Sequence, residues 1–156
     1  MYRLALGFAL AATVQAANAA CIPILGTVQT DPDETCKIQD YYDDPIFLGA
    51  PNCFRVTMKL AGILPATGYA GLTMEPGPQV VQDFRQVLTA RSTFSLAGTR
   101  VYTAEVLVQS GGFVTEQSII TGTDGRGLFR NVTGGFTVLG NSIGQPAQVR
   151  GQLCTP

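Results

Sequence analysis

The chain of 156 residues contains no histidine. It therefore has no imidazole base, no Ser-His-Asp triad and no Cys-His pair, and no serine sits in a Gly-x-Ser-x-Gly elbow. Carboxylates, phenols and guanidinium groups remain. Glu105 and Glu116 lie on adjacent predicted strands, and a carboxylate pair about 5 to 9 Å apart can do acid–base work on a sugar. The simpler assignment makes each a solvent-facing strand residue paired with an arginine such as Arg91 or Arg100.

Metal and cofactor chemistry find little support. Six of the eleven acidic residues, Asp31, Asp33, Glu34, Asp40, Asp43 and Asp44, crowd between Cys21 and Pro51, with Lys37 the only base there. Their spacing does not match a twelve-residue calcium loop, and its turn glycine is missing. Solvated acidic loops are the expectation, and no metal is assigned. The glycines around Asp124 are followed by no Lys-Ser/Thr and no helix, so they do not cradle a phosphate. No cofactor is expected.

The four cysteines, Cys21, Cys36, Cys53 and Cys154, include no Cys-x-x-Cys pair. Two disulfides are expected in place of a zinc or dithiol site. The favoured pairing joins Cys36 with Cys53, bracketing the acidic stretch, and Cys21 with Cys154, tying the N-terminal segment to the last strand. Cys53 with Cys154 stays open, because Cys53 begins a strand that could lie beside the last one. The short loop is worth roughly 3 kcal/mol in the chain-entropy model.

Residues 1–19 have the layout of a secretory signal peptide: Arg3, an apolar run from Leu4 to Val14, and Ala17-Asn18-Ala19 as a small-x-small cleavage site. That run is too short to span a bilayer, which takes about 20 residues. The reading is an exported protein, extracellular or periplasmic, with no transmembrane segment. Lipidation of Cys21 is the competing reading, and it would leave an odd number of cysteines. Residues 20–156 amount to one domain. Without Arg3, nine basic residues face eleven acidic ones, and no local basic run exists, so nucleic acid is excluded as a partner. Asn131-Val132-Thr133 is a glycosylation sequon that in mid-strand reads as β-propensity.

From Cys53 onward the pattern has period two. Phe54, Val56, Met58 and Leu60 share one face of a strand; Leu88, Ala90, Phe94 and Leu96, with Phe84, share another. Tyr102, Ala104, Val106 and Val108 alternate with Thr103, Glu105, Leu107 and Gln109. Strands at intervals of roughly 8 to 14 residues, joined by Gly and Pro turns, predict an all-β fold. Cys36–Tyr42 reads as a first strand, preceded by an irregular segment.

The stretch from Thr121 to Gly135 carries five glycines. Asp124-Gly125-Arg126-Gly127 reads as a tight reversal, and Gly134-Gly135 as a bulge or close approach inside the strand Leu128–Leu139. The pattern Gly125-x-Gly127-x-Phe129-x-x-Val132-x-Gly134 resembles the strand-turn-strand signature of the allene oxide cyclase and dirigent superfamily, mainly over residues 91–140. That resemblance implies a single antiparallel barrel of about eight strands. It aligns the dirigent aspartate and arginine positions with Leu128 and Thr133, so the polar groups of phenoxy-radical coupling are not kept. In allene oxide cyclases the lumen mainly shapes a bound lipid, which implies here a small apolar ligand held without covalent catalysis. Phe54, Met58, Tyr102 and Phe129 are the large residues expected to line such a lumen. The alternative is a non-enzymatic secreted structural or interaction module with a packed interior. A homo-oligomer is compatible with either.

Overall fold

The computed structural model describes residues 20–42, 52–63, 65–73, 79–81, 85–140 and 142–156. The leader assigned to residues 1–19 lies outside them, as do Asp43, Asp44 and Phe84. Period-two patterning closes on itself as an antiparallel barrel. Eight strands form the ring: β1 (Ala20–Pro32), β2 (Cys53–Leu60), β3 (Ala66–Leu72), β5 (Arg85–Leu96), β6 (Thr99–Ser110), β7 (Phe113–Thr123), β8 (Thr133–Leu139) and β9 (Ala147–Thr155). A short β4 (Gln79–Val81) pairs only with the start of β5. Each ring strand pairs with the next along the chain; β3 pairs with β5, and β9 returns to β1. Eight strands leave an interior just wide enough to be filled by side chains or to hold one small ligand.

Among the described residues, the packed core fills one end of the interior. At the end of the β5–β6 turn, Met58, Leu60, Phe94, Leu96, Val101, Phe136, Val149 and Leu153 pack together. Phe94 and Phe136 meet edge to face, with ring centroids 6.2 Å apart, and each such large apolar side chain contributes about 1.5–3 kcal/mol by leaving water. The connection 124–132 folds in over this end with Phe129 and Val132 buried. Phe129 donates its backbone N–H to the Thr99 hydroxyl at 2.9 Å, and that hydroxyl donates to the Arg126 carbonyl at 2.7 Å. Gly127, at φ +70°, lies on the Gly98 backbone so closely that a Cβ would come within 2.5 Å of it.

Four local expectations are corrected. Residues 20–32 are a 13-residue strand; Gly26 interrupts an inward row that includes Ile24 and Val28, while Pro23 stands in the outward row. Cys36–Tyr42 is no strand but a segment with a 3-10 turn, Ile38–Asp40, lying on the barrel's outer surface. Asp124–Gly127 does not reverse the chain tightly, because nine residues join β7 to β8. Asn131 sits in a turn and is exposed, with β8 starting only at Thr133. Gly134, at φ +116°, and Gly135 do lie within the strand, where Cβ atoms would overlap the Gln152 and Ser118 carbonyl oxygens. Gly125 also has positive φ, with open space around it.

Both favoured disulfides are present. Cys21 and Cys154 are directly opposite on β1 and β9, with Cα atoms 4.0 Å apart. Cys36–Cys53 pins the outer segment to the start of β2 and, with the fully buried Ile38, forms a small second core against Tyr42 and Tyr69. Tyr42 reaches the seam between β5 and β6. Its hydroxyl accepts the Thr103 N–H at 3.0 Å and has the carbonyls of Ser92 at 2.6 Å and Thr103 at 3.1 Å as acceptors for its proton. Burial raises its pKa further above the ordinary phenol range.

Candidate functional site

The other half of the lumen is open. A cavity of about 300 Å³ lies between Phe54, Ala70, Leu72, Leu88, Ala90, Leu107 and Val114, with Asn52, Gln86, Gln109 and Ser142 adding neutral polar groups. Its volume equals that of about ten liquid waters, at roughly 30 Å³ each. Glu105 and Glu116 line this cavity and also a smaller one of about 30 Å³, which they share with Met58, Ser92 and Phe136. The carboxyl groups therefore stand between the open half of the lumen and the packed half.

Register places them there. Glu105 pairs with Ser118 and Leu107 with Glu116, so the two glutamates are diagonal neighbours on one face of β6 and β7, at a spacing of roughly 7–8 Å. Thr121, the extra residue of a bulge between the Tyr102 and Thr103 pairs, restores the inward phase on the far side. Glu105 is 5 % exposed. Its Oε1 accepts from the Ser92 hydroxyl and from the Thr103 hydroxyl, the latter at 2.7 Å. Glu116 is half-buried, and its Oε1 accepts from Ser118 at 2.9 Å. Among the described residues, no group donates to Oε2 of either.

Both carboxyls hold their protons more tightly than glutamate in water. Burial raises the Glu105 pKa against the opposing pull of the Ser92 and Thr103 hydroxyls and of Arg91. Burial, and then the charge of Glu105, push Glu116 up to about 8. Two carboxylates facing one apolar space cannot both ionise cheaply. Near neutral pH the pair thus offers both hydrogen-bond donors and acceptors to anything in the cavity. The described lining residues include no lysine, arginine, cysteine or tyrosine, and they offer hydrogen bonding, charge and proton transfer.

The residues proposed for the lumen are scattered. Phe54 lines the large cavity and Met58 the small one. Phe129 belongs to the packed end. Tyr102 is on the outside, against Tyr41 and Tyr42, because β6 turns Thr103, Glu105, Leu107 and Gln109 inward. The more polar row faces the lumen and the more apolar one faces out, with Val106 and Val108 exposed. Glu105 and Glu116 are not solvent-facing residues: both line the lumen, although Glu105 also borders the outer groove that Arg91 lines, and Arg100 stacks over Tyr41 at 4.2 Å. The sequence signal for the pair was its position on adjacent strands; what it lacked was the direction of the faces. Comparison of the chain with protein-family models, characterised proteins and solved structures finds no match.

Proposed function

We propose that this protein is an exported barrel that binds one small, largely apolar molecule in its lumen without a covalent bond, with Glu105 and Glu116 meeting the ligand's polar end. The observation that carries the reading is the apolar cavity of about 300 Å³ ending on two carboxyl groups. Its size falls at the lower end of small-molecule pockets, which are mostly apolar with a few placed polar groups. The two disulfides suit an oxidising compartment, and no described helix is long and apolar enough to cross a membrane. Any catalysis would come from confining the ligand's shape, with proton transfer at the carboxyl pair. This is the style of function that the likeness to allene oxide cyclases implied, and kinship with that superfamily remains part of the proposal.

Titration with an apolar fluorescent probe tests the reading. We expect one site per chain in the wild type and none in Leu88→Trp, whose indole would occupy the cavity. Equal binding by both proteins would place the probe elsewhere and remove the lumen from the account.

A further inference from the structure

We infer that the lumen selects a small organic cation: a protonated amine on an apolar body, its ammonium group seated between the free carboxyl oxygens of Glu105 and Glu116. This rests on the lumen-binding reading above and names the ligand class. Glu105 is almost fully buried, yet only one of its oxygens is satisfied; Ser92 and Thr103 hold Oε1, and no described residue donates to Oε2. Glu116, one diagonal step away, repeats the arrangement with Ser118. Two carboxyl groups, each fixed through one oxygen, thus face the same apolar space.

Among the described residues, the lining supplies no compensating positive charge. Phe54, Leu72, Leu88, Leu107 and Val114 are apolar, Asn52, Gln86 and Gln109 are neutral, and no lysine or arginine is among the lining residues. Among the described residues, the charged and titratable groups that interact with Glu105 from the outer side of the wall are Arg91 on β5, which lowers its pKa, and Tyr42 on the outer segment, whose own pKa Glu105 raises. A buried carboxylate without a partner is strongly disfavoured. An ammonium group brings the missing charge and three donors, enough to reach both free oxygens. Once the pair ionises, an anionic ligand such as a fatty acid is repelled, and a neutral alcohol leaves the new charge uncompensated. A divalent metal ion takes six to eight oxygen ligands, which two free carboxyl oxygens among apolar side chains do not provide.

Binding of the amine must displace the proton that the pair holds near neutral pH. Affinity should therefore rise with pH, by up to about tenfold per pH unit for each proton released, until the pair has ionised; near pH 10 the amine itself deprotonates and affinity falls.

Isothermal titration with three probes of matched shape, phenethylamine, phenethyl alcohol and phenylpropanoate, tests the inference between pH 6 and 9. We expect the amine to bind at least about tenfold more tightly than the alcohol at pH 8, with proton release, and phenylpropanoate to bind least. Glu116→Gln and Glu105→Gln, checked for folding by thermal melt, should lose the preference for the amine over the alcohol and the rise of amine affinity with pH. If the alcohol binds as well as the amine, or if amine affinity does not rise with pH, the cation inference falls and the lumen site stands. If none of the three binds, both readings fall.

Discussion

Glu116 makes stability depend on pH in a window where few other groups titrate. Its carboxyl is raised from 4.5 to about 8, mainly by burial and then by Glu105. Between those values the folded chain binds more protons than the unfolded chain. Stability from this group is therefore complete below about pH 4.5, and is lost progressively as the pH climbs through 8. At 1.36 kcal/mol per pH unit the full span corresponds to roughly 5 kcal/mol. Glu116 is only half-buried and faces a cavity that water can enter, so we expect about 2–3 kcal/mol after screening, or a fall of roughly 10 °C in Tm between pH 5 and 8.5. Glu105 acts in the same direction. The chain has no histidine and, among the described residues, no free cysteine. Asp33 and Asp124, whose pKa values are lowered, lose their contribution only as the pH falls below about 4, outside this window. The assay is a thermal melt at half-unit pH steps on wild type and Glu116→Gln. The variant should have a flatter profile and be the more stable protein above pH 8. A wild-type Tm that holds or rises from pH 5 to 8.5, or a variant that keeps the full slope, would refute the placement of this carboxyl.

Two further outcomes follow from the packing, and a third from the proposed export. Gly134→Val should lower stability by more than about 2 kcal/mol in urea unfolding, through positive φ and overlap with the Gln152 carbonyl; an unchanged midpoint would make the glycine incidental. Tyr42→Phe should cost about 1–3 kcal/mol, because the Thr103 N–H loses its acceptor, and a neutral result in the same assay would show that water replaces the hydroxyl. Intact mass of the exported protein should match a chain starting Ala20-Cys21 with no free thiol, and a diacylglycerol adduct on Cys21 would contradict it.

The barrel was legible from Cys53 onward because alternation there is nearly unbroken, as in β2, where Phe54, Val56, Met58 and Leu60 are all buried. It was hidden in β1, where Gly26 interrupts the inward row and Pro23, in the outward row, argues against a strand. The disulfides followed from position, and the register of β1 against β9 brings Cys21 and Cys154 face to face. The site was half legible. Alternation in β6 divides Tyr102, Ala104, Val106 and Val108 from Thr103, Glu105, Leu107 and Gln109, but hydrophobicity assigns the wrong row to the interior. The polar row can turn inward because Thr103 and Ser118, two residues away on the same strands, and Ser92, across from β5, offer the carboxyls hydroxyl donors; the Ser92 partner appears only once the register is known. Phe129 misled for another reason: a connection nine residues long lets it fold back over the closed end, where a two-residue turn would not.

The central claim is that the open half of the lumen is the binding site. Intermolecular NOEs between bound phenethylamine and the protein's methyl groups test it most directly. The account predicts contacts to Leu88, Leu107 and Val114, which line the cavity. Contacts confined to Val106 and Ile119, exposed on the outer face, would contradict it.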